Sequence, residues 1–274
     1  MKFPRLRTVL LTPIVIFAAF YVYAAVWLAL DDDSLPVLDK PPAAIETIAI
    51  FGATGTAGDG ILKAALTDPD IHRILVFTRR MSPRIEAGVA AGKVQASIHT
   101  DYLDYAPIRE QLREVDAVFW AIGISSLGVD EETYGRIHVD FPMRFVADWL
   151  TVSERDDISF HYISSSDISA ESSAMWAREK VRAENSLIGL AAGKGLRVIC
   201  YRPDYIGPTA EEAHLGQDLL YWFFAPVKSA IRARQIGQAM IEVTARGTEF
   251  GNGDRLHTRS LLRLSDAYEL RQNP

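Results

Sequence analysis

The stretch Ile48-Ala49-Ile50-Phe51-Gly52-Ala53-Thr54-Gly55-Thr56-Ala57-Gly58-Asp59-Gly60 constrains the fold of this chain more than any other. A short apolar run delivers three glycines to a turn, and Ile61, Leu62, Ala65 and Leu66 then recur at helical spacing. Strand, glycine turn and helix in that order form the setting of a dinucleotide phosphate cradle. Gly52 permits the tight turn out of the strand, Gly55 lets backbone N–H groups approach a pyrophosphate, and Gly58 lets the helix lie close against the sheet. The helix points its positive end at the phosphates. Thr54, Thr56 and Ala57 belong to the same turn and join the glycines as expected cofactor contacts. The competing reading is a glycine-rich turn that binds nothing, and the strand and helix that flank it count against that reading.

From residue 45 onward the pattern alternates. Strands are expected near 45–51, 72–78, 94–99, 116–122, 158–164 and 196–202, and helices near 57–67, 107–114, 135–153 and 174–192. Such alternation implies an α/β fold, a doubly wound parallel sheet of the Rossmann type covered on both faces. Ile236, Ala239, Met240 and Val243 suggest a terminal amphipathic helix, and residues 258–264 a last edge strand. With 274 residues, one main domain over 45–274 is the economical division.

A net charge of −6 and the absence of a long basic run argue against a nucleic-acid partner. Cys200 is the only cysteine, which excludes an intrachain disulfide and a cysteine-based zinc site, and the six histidines show no metal-ligand spacing.

Residues 8–30 carry no charge, and about 20 apolar residues cross a hydrocarbon core roughly 30 Å thick. Residues 1–30 are therefore expected to form a membrane anchor. A cleaved signal peptide is disfavoured because Tyr23 and Trp27 stand two residues before the candidate cleavage sites Ala25 and Ala29, and a buried helix is the remaining alternative. Lys2, Arg5 and Arg7 before the span and Asp31, Asp32 and Asp33 after it place the domain outside, whereas a nicotinamide cofactor calls for the cytoplasmic face. The side of the domain is left open. Residues 31–44, acidic and then proline-containing, read as a linker.

About twenty residues beyond the glycine turn, an NAD site would offer a carboxylate to the ribose hydroxyls. This chain has Arg79-Arg80. Guanidinium groups grip a 2′-phosphate through charge-assisted bonds, which favours NADP(H) over NAD(H); the bland alternative is a solvated loop. Asp101-Tyr102 follows the third strand, where a side chain could touch the adenine. Ala121-Ile122-Gly123 closes the fourth, where a small turn lets the backbone pass beneath a bound cofactor, so Ile122 and Gly123 join the cofactor-binding set.

These residues, together with the serines at 164–166 and Tyr201-Arg202-Pro203, resemble the short-chain dehydrogenase/reductase superfamily over residues 45 to about 245. The Gly-x-x-Gly-x-x-Gly turn is similar to that of its atypical branch, and within it to the Tat-interacting oxidoreductase-like subgroup, whose cofactor is NADPH. The resemblance implies a serine after the fifth strand that orients a substrate carbonyl, here Ser166, with Ser165 next. It also implies a lysine that holds the nicotinamide ribose, here Lys180, and a proline beside the nicotinamide, here Pro203. Ser166 and Lys180 are thus the expected catalytic residues. The bland readings are a serine run that merely turns the chain and a surface lysine paired with Glu184.

One departure stands out. The family tyrosine four residues before the lysine is replaced by Trp176, whose indole N–H cannot serve as an acid near neutral pH. Tyr162, Tyr201, Tyr205 or Asp167 could supply a proton from elsewhere. Residues 214–224 are rich in aromatics and could form a lid, a membrane-surface contact or a helix packed on the core. Two functional readings follow: a membrane-anchored NADP(H)-binding oxidoreductase acting on a carbonyl, or a non-catalytic cofactor-binding sensor or assembly module with a protein partner. An inert scaffold is the third.

Overall fold

Apolar runs bounded by glycine, serine or charged residues pair as buried parallel strands, joined at one edge by the largely exposed run 94–98. These are β1 (Thr47–Phe51), β2 (Arg73–Thr78), β3 (Val94–Ile98), β4 (Ala117–Trp120), β5 (Ile158–Ile163) and β6 (Leu196–Arg202). A short β9 (Arg255–His257) completes a seven-stranded sheet in the order β3-β2-β1-β4-β5-β6-β9. Every pairing in it is parallel. The computed structural model describes residues 6–31, 34–35, 45–209 and 214–273, with side chains from residue 14 onward. Most of the expected linker, 31–44, lies outside the described residues, as do Lys2 and Arg5.

Alternation along each strand builds two cores. Ile48 and Ile50 of β1 face one of them, filled by α2 (Thr56–Thr67), α8 (Ala233–Arg246) and α9 (Thr258–Gln272). Ala49 and Phe51 face the other, covered by α5 (Phe141–Trp149) and α6 (Met175–Ala191). On that second face Phe51 packs against Phe77, Trp120 and Phe145 at centroid separations of 4.9, 4.8 and 4.7 Å. Each such pair is worth about 0.5–1.5 kcal/mol beyond the area it buries. On the first face α2 and α8 touch backbone to backbone: a Cβ on Gly60 would fall 2.3 Å from the Ala233 carbonyl carbon, and one on Gly237 2.7 Å from Ile61 Cα.

Several expectations need correction. The segment 107–114 forms a 3₁₀ turn, Ala106–Leu112, with proline in its first turn. The helix expected near 135–153 begins earlier, as α4 (Glu131–Gly135), passes through a π turn over Arg136–Asp140 and ends with α5 at Trp149. Asp130 caps its start by accepting from the Thr133 N–H at 2.8 Å. A further helix, α3 (Pro83–Ala90), is capped by Ser82.

Residues 258–264 are not a strand. They open α9, because Leu261, Leu264 and Tyr268 recur at helical spacing and are buried together in the first core. The edge strand is the shorter β9, and α8, expected to be terminal, is followed by it and by α9. Two three-residue strands, β7 (Tyr205–Gly207) and β8 (Ala230–Arg232), pair in parallel apart from the main sheet, with α7 (Leu215–Phe224) between them.

The N-terminal run forms helix α1 (Leu6–Leu30). Among the described residues no helix is long and apolar enough to cross a membrane. The helix rests on the domain: the Tyr21 hydroxyl donates to the Phe223 carbonyl, their rings stack at 5.3 Å, and Asp31 pairs with Arg259.

Candidate cofactor site

The order of the strands reverses direction between β1 and β4, which opens a crevice at the carboxyl ends of the sheet. Gly52 leaves β1 with φ at +84°, and a Cβ there would lie 2.6 Å from the carbonyl carbon of Ala121 at the end of β4. Only glycine relieves both constraints. Gly58 is equally confined, with a would-be Cβ 2.0 Å from the Gly52 carbonyl oxygen. Gly55 is the N-cap of α2 and brings no side-chain oxygen to its first-turn N–H groups. An anion at that helix end would satisfy them.

A cleft of about 290 Å³ opens above this turn. Gly52, Thr54 and Gly55 form its floor, Thr78, Arg79 and Arg80 one wall, and Ala121, Ile122, Gly123 and Ile124 the other. Tyr102, Ile137 and Phe141 close it. A second cleft of about 440 Å³ continues past Thr54, Gly55 and Thr56 to Ser82, Arg84, His214 and Gln217. There Arg84 pairs with Asp59 at 2.9 Å. A further cleft, between Arg73, Glu110, Arg113 and Glu154, sits at the opposite ends of the strands, and its charges are already paired with one another. The cradle without side chains, the open helix end and the two arginines together fit a phosphorylated dinucleotide.

The floor near Gly123 is held from below. Burial pushes the His138 imidazole down to about 3, so it is neutral near pH 7, and its Nε2 accepts from the Ile124 N–H at 3.2 Å. The π turn places His138 there and leaves its carbonyl to accept from the Tyr162 hydroxyl at 3.0 Å. Tyr134 lies against the imidazole at 4.1 Å.

Lys180 is buried, not a surface lysine. Its Nζ donates to the Ile163 carbonyl oxygen at 2.9 Å and to the Tyr162 hydroxyl at 3.4 Å. Burial brings it down to about 7, against the opposing pull of Glu184. Glu184 is not its ion-pair partner. That carboxylate is engaged by Arg202 and by Arg255, each through Nε at 2.9 Å. Burial alone would raise the Glu184 carboxyl, but these hydrogen bonds outweigh it and hold the group below its ordinary value.

The serine run is tied to β6. Ser164 N–H donates to the Tyr201 carbonyl at 2.7 Å, and Ser166 N–H to the Pro203 carbonyl at 3.2 Å. Asp167 follows with φ at +52°, in the left-handed region that aspartate enters more readily than most residues. Ser166, Pro203 and Lys180 thus gather at the ends of β5 and β6, outside the residues that line either cleft. Ala57 and Gly58 do not line them either, and Gly58 shapes the turn from behind. Trp176 is half-buried one helical turn before Lys180.

Two of the alternative phenols are sealed in the core. Burial drives Tyr162 and Tyr201 well above the ordinary phenol value, and the Tyr201 hydroxyl lies 2.7 Å from His161 Nδ1. Tyr205 turns its hydroxyl towards the Gln217 carbonyl at 3.5 Å.

Ile124, Ile137, Phe141, Thr78, Ser82 and Arg84 are cleft residues that the sequence reading did not single out. Ser82 alone carried a local signal, a serine directly before Pro83 at a helix start.

No family model matches the sequence, and no curated protein matches it. Solved structures do match in fold. A short-chain dehydrogenase/reductase from Serratia marcescens superposes with a TM-score of 0.62 at 17% identity, covering 78% of this chain and 97% of its own. A 3-oxoacyl-[acyl-carrier protein] reductase from Brucella melitensis gives 0.61 at 16% identity, covering 80% and 98%. UDP-glucuronic acid 4-epimerase from Bacillus cereus, determined in complex with NAD, gives 0.60 at 13% identity, covering 77% and 76%. At these identities the likeness shows the fold alone, a Rossmann-type parallel sheet.

Proposed function

We propose that the chain is a membrane-anchored, NADP(H)-binding protein of the short-chain dehydrogenase/reductase type. The observation that carries this reading is the presence of Arg79 and Arg80 in the same cleft as the side-chain-free glycine turn. The turn suits a pyrophosphate, and the guanidinium pair suits a 2′-phosphate in place of ribose hydroxyls. Residues 8–30 carry no charged side chain and lie within helix α1, which supports them as the anchor. The domain then belongs on the side of the membrane that holds nicotinamide cofactors.

If the chain is an oxidoreductase, the reduced nicotinamide would supply a hydride to a carbonyl carbon, and water would supply the proton to the resulting alkoxide, since position 176 offers no acid. Ser166 would hold the carbonyl oxygen by donating its hydroxyl proton in a hydrogen bond. Lys180, close to the end of β5, would hold the ribose after exchanging its bond to the Ile163 carbonyl for one to the sugar. A second reading, a non-catalytic sensor or assembly module, is favoured by Trp176, which leaves the position four residues before Lys180 without an acid. Turnover of NADPH with a panel of aldehydes and ketones separates the two. Turnover that is lost in both Ser166→Ala and Lys180→Met supports the enzyme. Tight NADPH binding with no turnover on the panel supports the sensor.

A further inference from the structure

Helix α7 is inverted with respect to a surface helix. At 100° per residue, Leu215, Gly216, Leu219, Leu220, Trp222 and Phe223 occupy one continuous arc, and all six are exposed. Leu215 is 90% exposed, Leu219 67% and Trp222 65%. The opposite arc, which faces the domain, carries Gln217, Asp218, Tyr221 and Phe224. Asp218 pairs with Arg232 at 2.8 Å, and the Arg232 guanidinium lies 3.7 Å from the centre of the Tyr221 ring. Polar contacts hold α7 to the protein and its apolar side is turned outward.

The outward arc is continuous with helix α1 through Phe223, whose ring stacks on Tyr21. Tyr21 is also where α1 meets the domain: residues 14–20 are exposed all the way round the helix, whereas Tyr21, Ala24, Ala25 and Leu28 are half-buried. A protein partner covers one stripe of a helix. A segment apolar at every azimuth calls for a lipid environment. The occupant of the α7 arc that matches this neighbour is the same bilayer.

We propose that α7 lies in the bilayer interface with its Leu215-Leu219-Trp222 face embedded among lipid chains, beside the point where α1 leaves the domain. This inference rests on the anchored reading of α1. Because His214 and Gln217 at the start of α7 also line the second cleft, the mouth of the candidate site opens at the membrane surface. An apolar substrate could then enter from the lipid.

The test uses the full chain reconstituted into phosphatidylcholine vesicles, with an environment-sensitive fluorophore at Leu219→Cys and, as a control, at Gly251→Cys. Position 251 is exposed in the loop before β9, and the one native cysteine, Cys200, is buried. The expected result is a several-fold brightening and a blue shift at 219, quenched by doxyl-labelled lipid, with no change at 251. A chain that floats with the vesicles while the 219 label stays aqueous overturns the proposal and leaves the anchor standing. A chain that does not float overturns both.

Discussion

A Cβ on Gly58 would lie 2.0 Å from the carbonyl oxygen of Gly52, so α2 enters against the turn with no space for even one methyl group. Overpacking of this kind costs about 1–3 kcal/mol. Gly58→Ala is therefore expected to lower the melting temperature by several degrees and to weaken nucleotide binding with it. Gly55→Ala should behave differently. Its Cβ would meet nothing closer than 3.5 Å and its φ of −92° suits any residue, so the fold tolerates it. Gly55 lines both clefts, and the added methyl should weaken binding at unchanged melting temperature.

Arg79 and Arg80 are exposed and line the cleft. Charge-assisted hydrogen bonds are worth about 1.5–3 kcal/mol, which corresponds to roughly 10- to 100-fold in affinity. Arg79→Glu or Arg80→Glu should lose about that much for NADPH and far less for NADH. Isothermal titration of each variant checks this, with the melting temperature as a control for folding.

Lys180 and His138 both resist protonation in the folded state because burial disfavours their charged forms. For Lys180 the folded value is about 7 against an ordinary 10.5, so between those pH values the unfolded chain binds the extra proton. Stability should rise with pH across that window, by at most about 1.4 kcal/mol per pH unit. The rise should flatten in Lys180→Met. For His138 the window runs from about 3 to 6.5, and stability should fall as the pH drops through it. Denaturant titrations at stepped pH test both slopes.

Glu184 joins α6 to β6 and to the edge strand β9 through Arg202 and Arg255. Removing one member of a buried pair costs about 3–5 kcal/mol, and the partial exposure of both arginines reduces that. Glu184→Gln should destabilise the domain by about 2 kcal/mol, read from the midpoint of urea unfolding.

The glycine turn, the positions of the first strands along the chain and the Arg79-Arg80 wall were legible because each rests on short-range chemistry: apolar runs, side-chain-free turns and paired charge. The cleft residues Ile137 and Phe141 were not, since a π turn in the α4–α5 helix places them and no spacing rule announces one. Lys180 was recognisable as a residue but not in its state, because its burial depends on Tyr162 and Ile163 of another element. Residues 258–264 misled because Leu261, Leu262 and Leu264 suit either period over so short a window. Only the later Tyr268 decides for the helix.

The central claim, a phosphate-reading dinucleotide cleft, is tested most directly by titrating the full chain in detergent with NADPH and with NADH, beside Arg79→Glu. The account predicts saturable binding of NADPH, weaker binding of NADH, and a preference that disappears in the variant. Binding of neither nucleotide to the folded protein would contradict it.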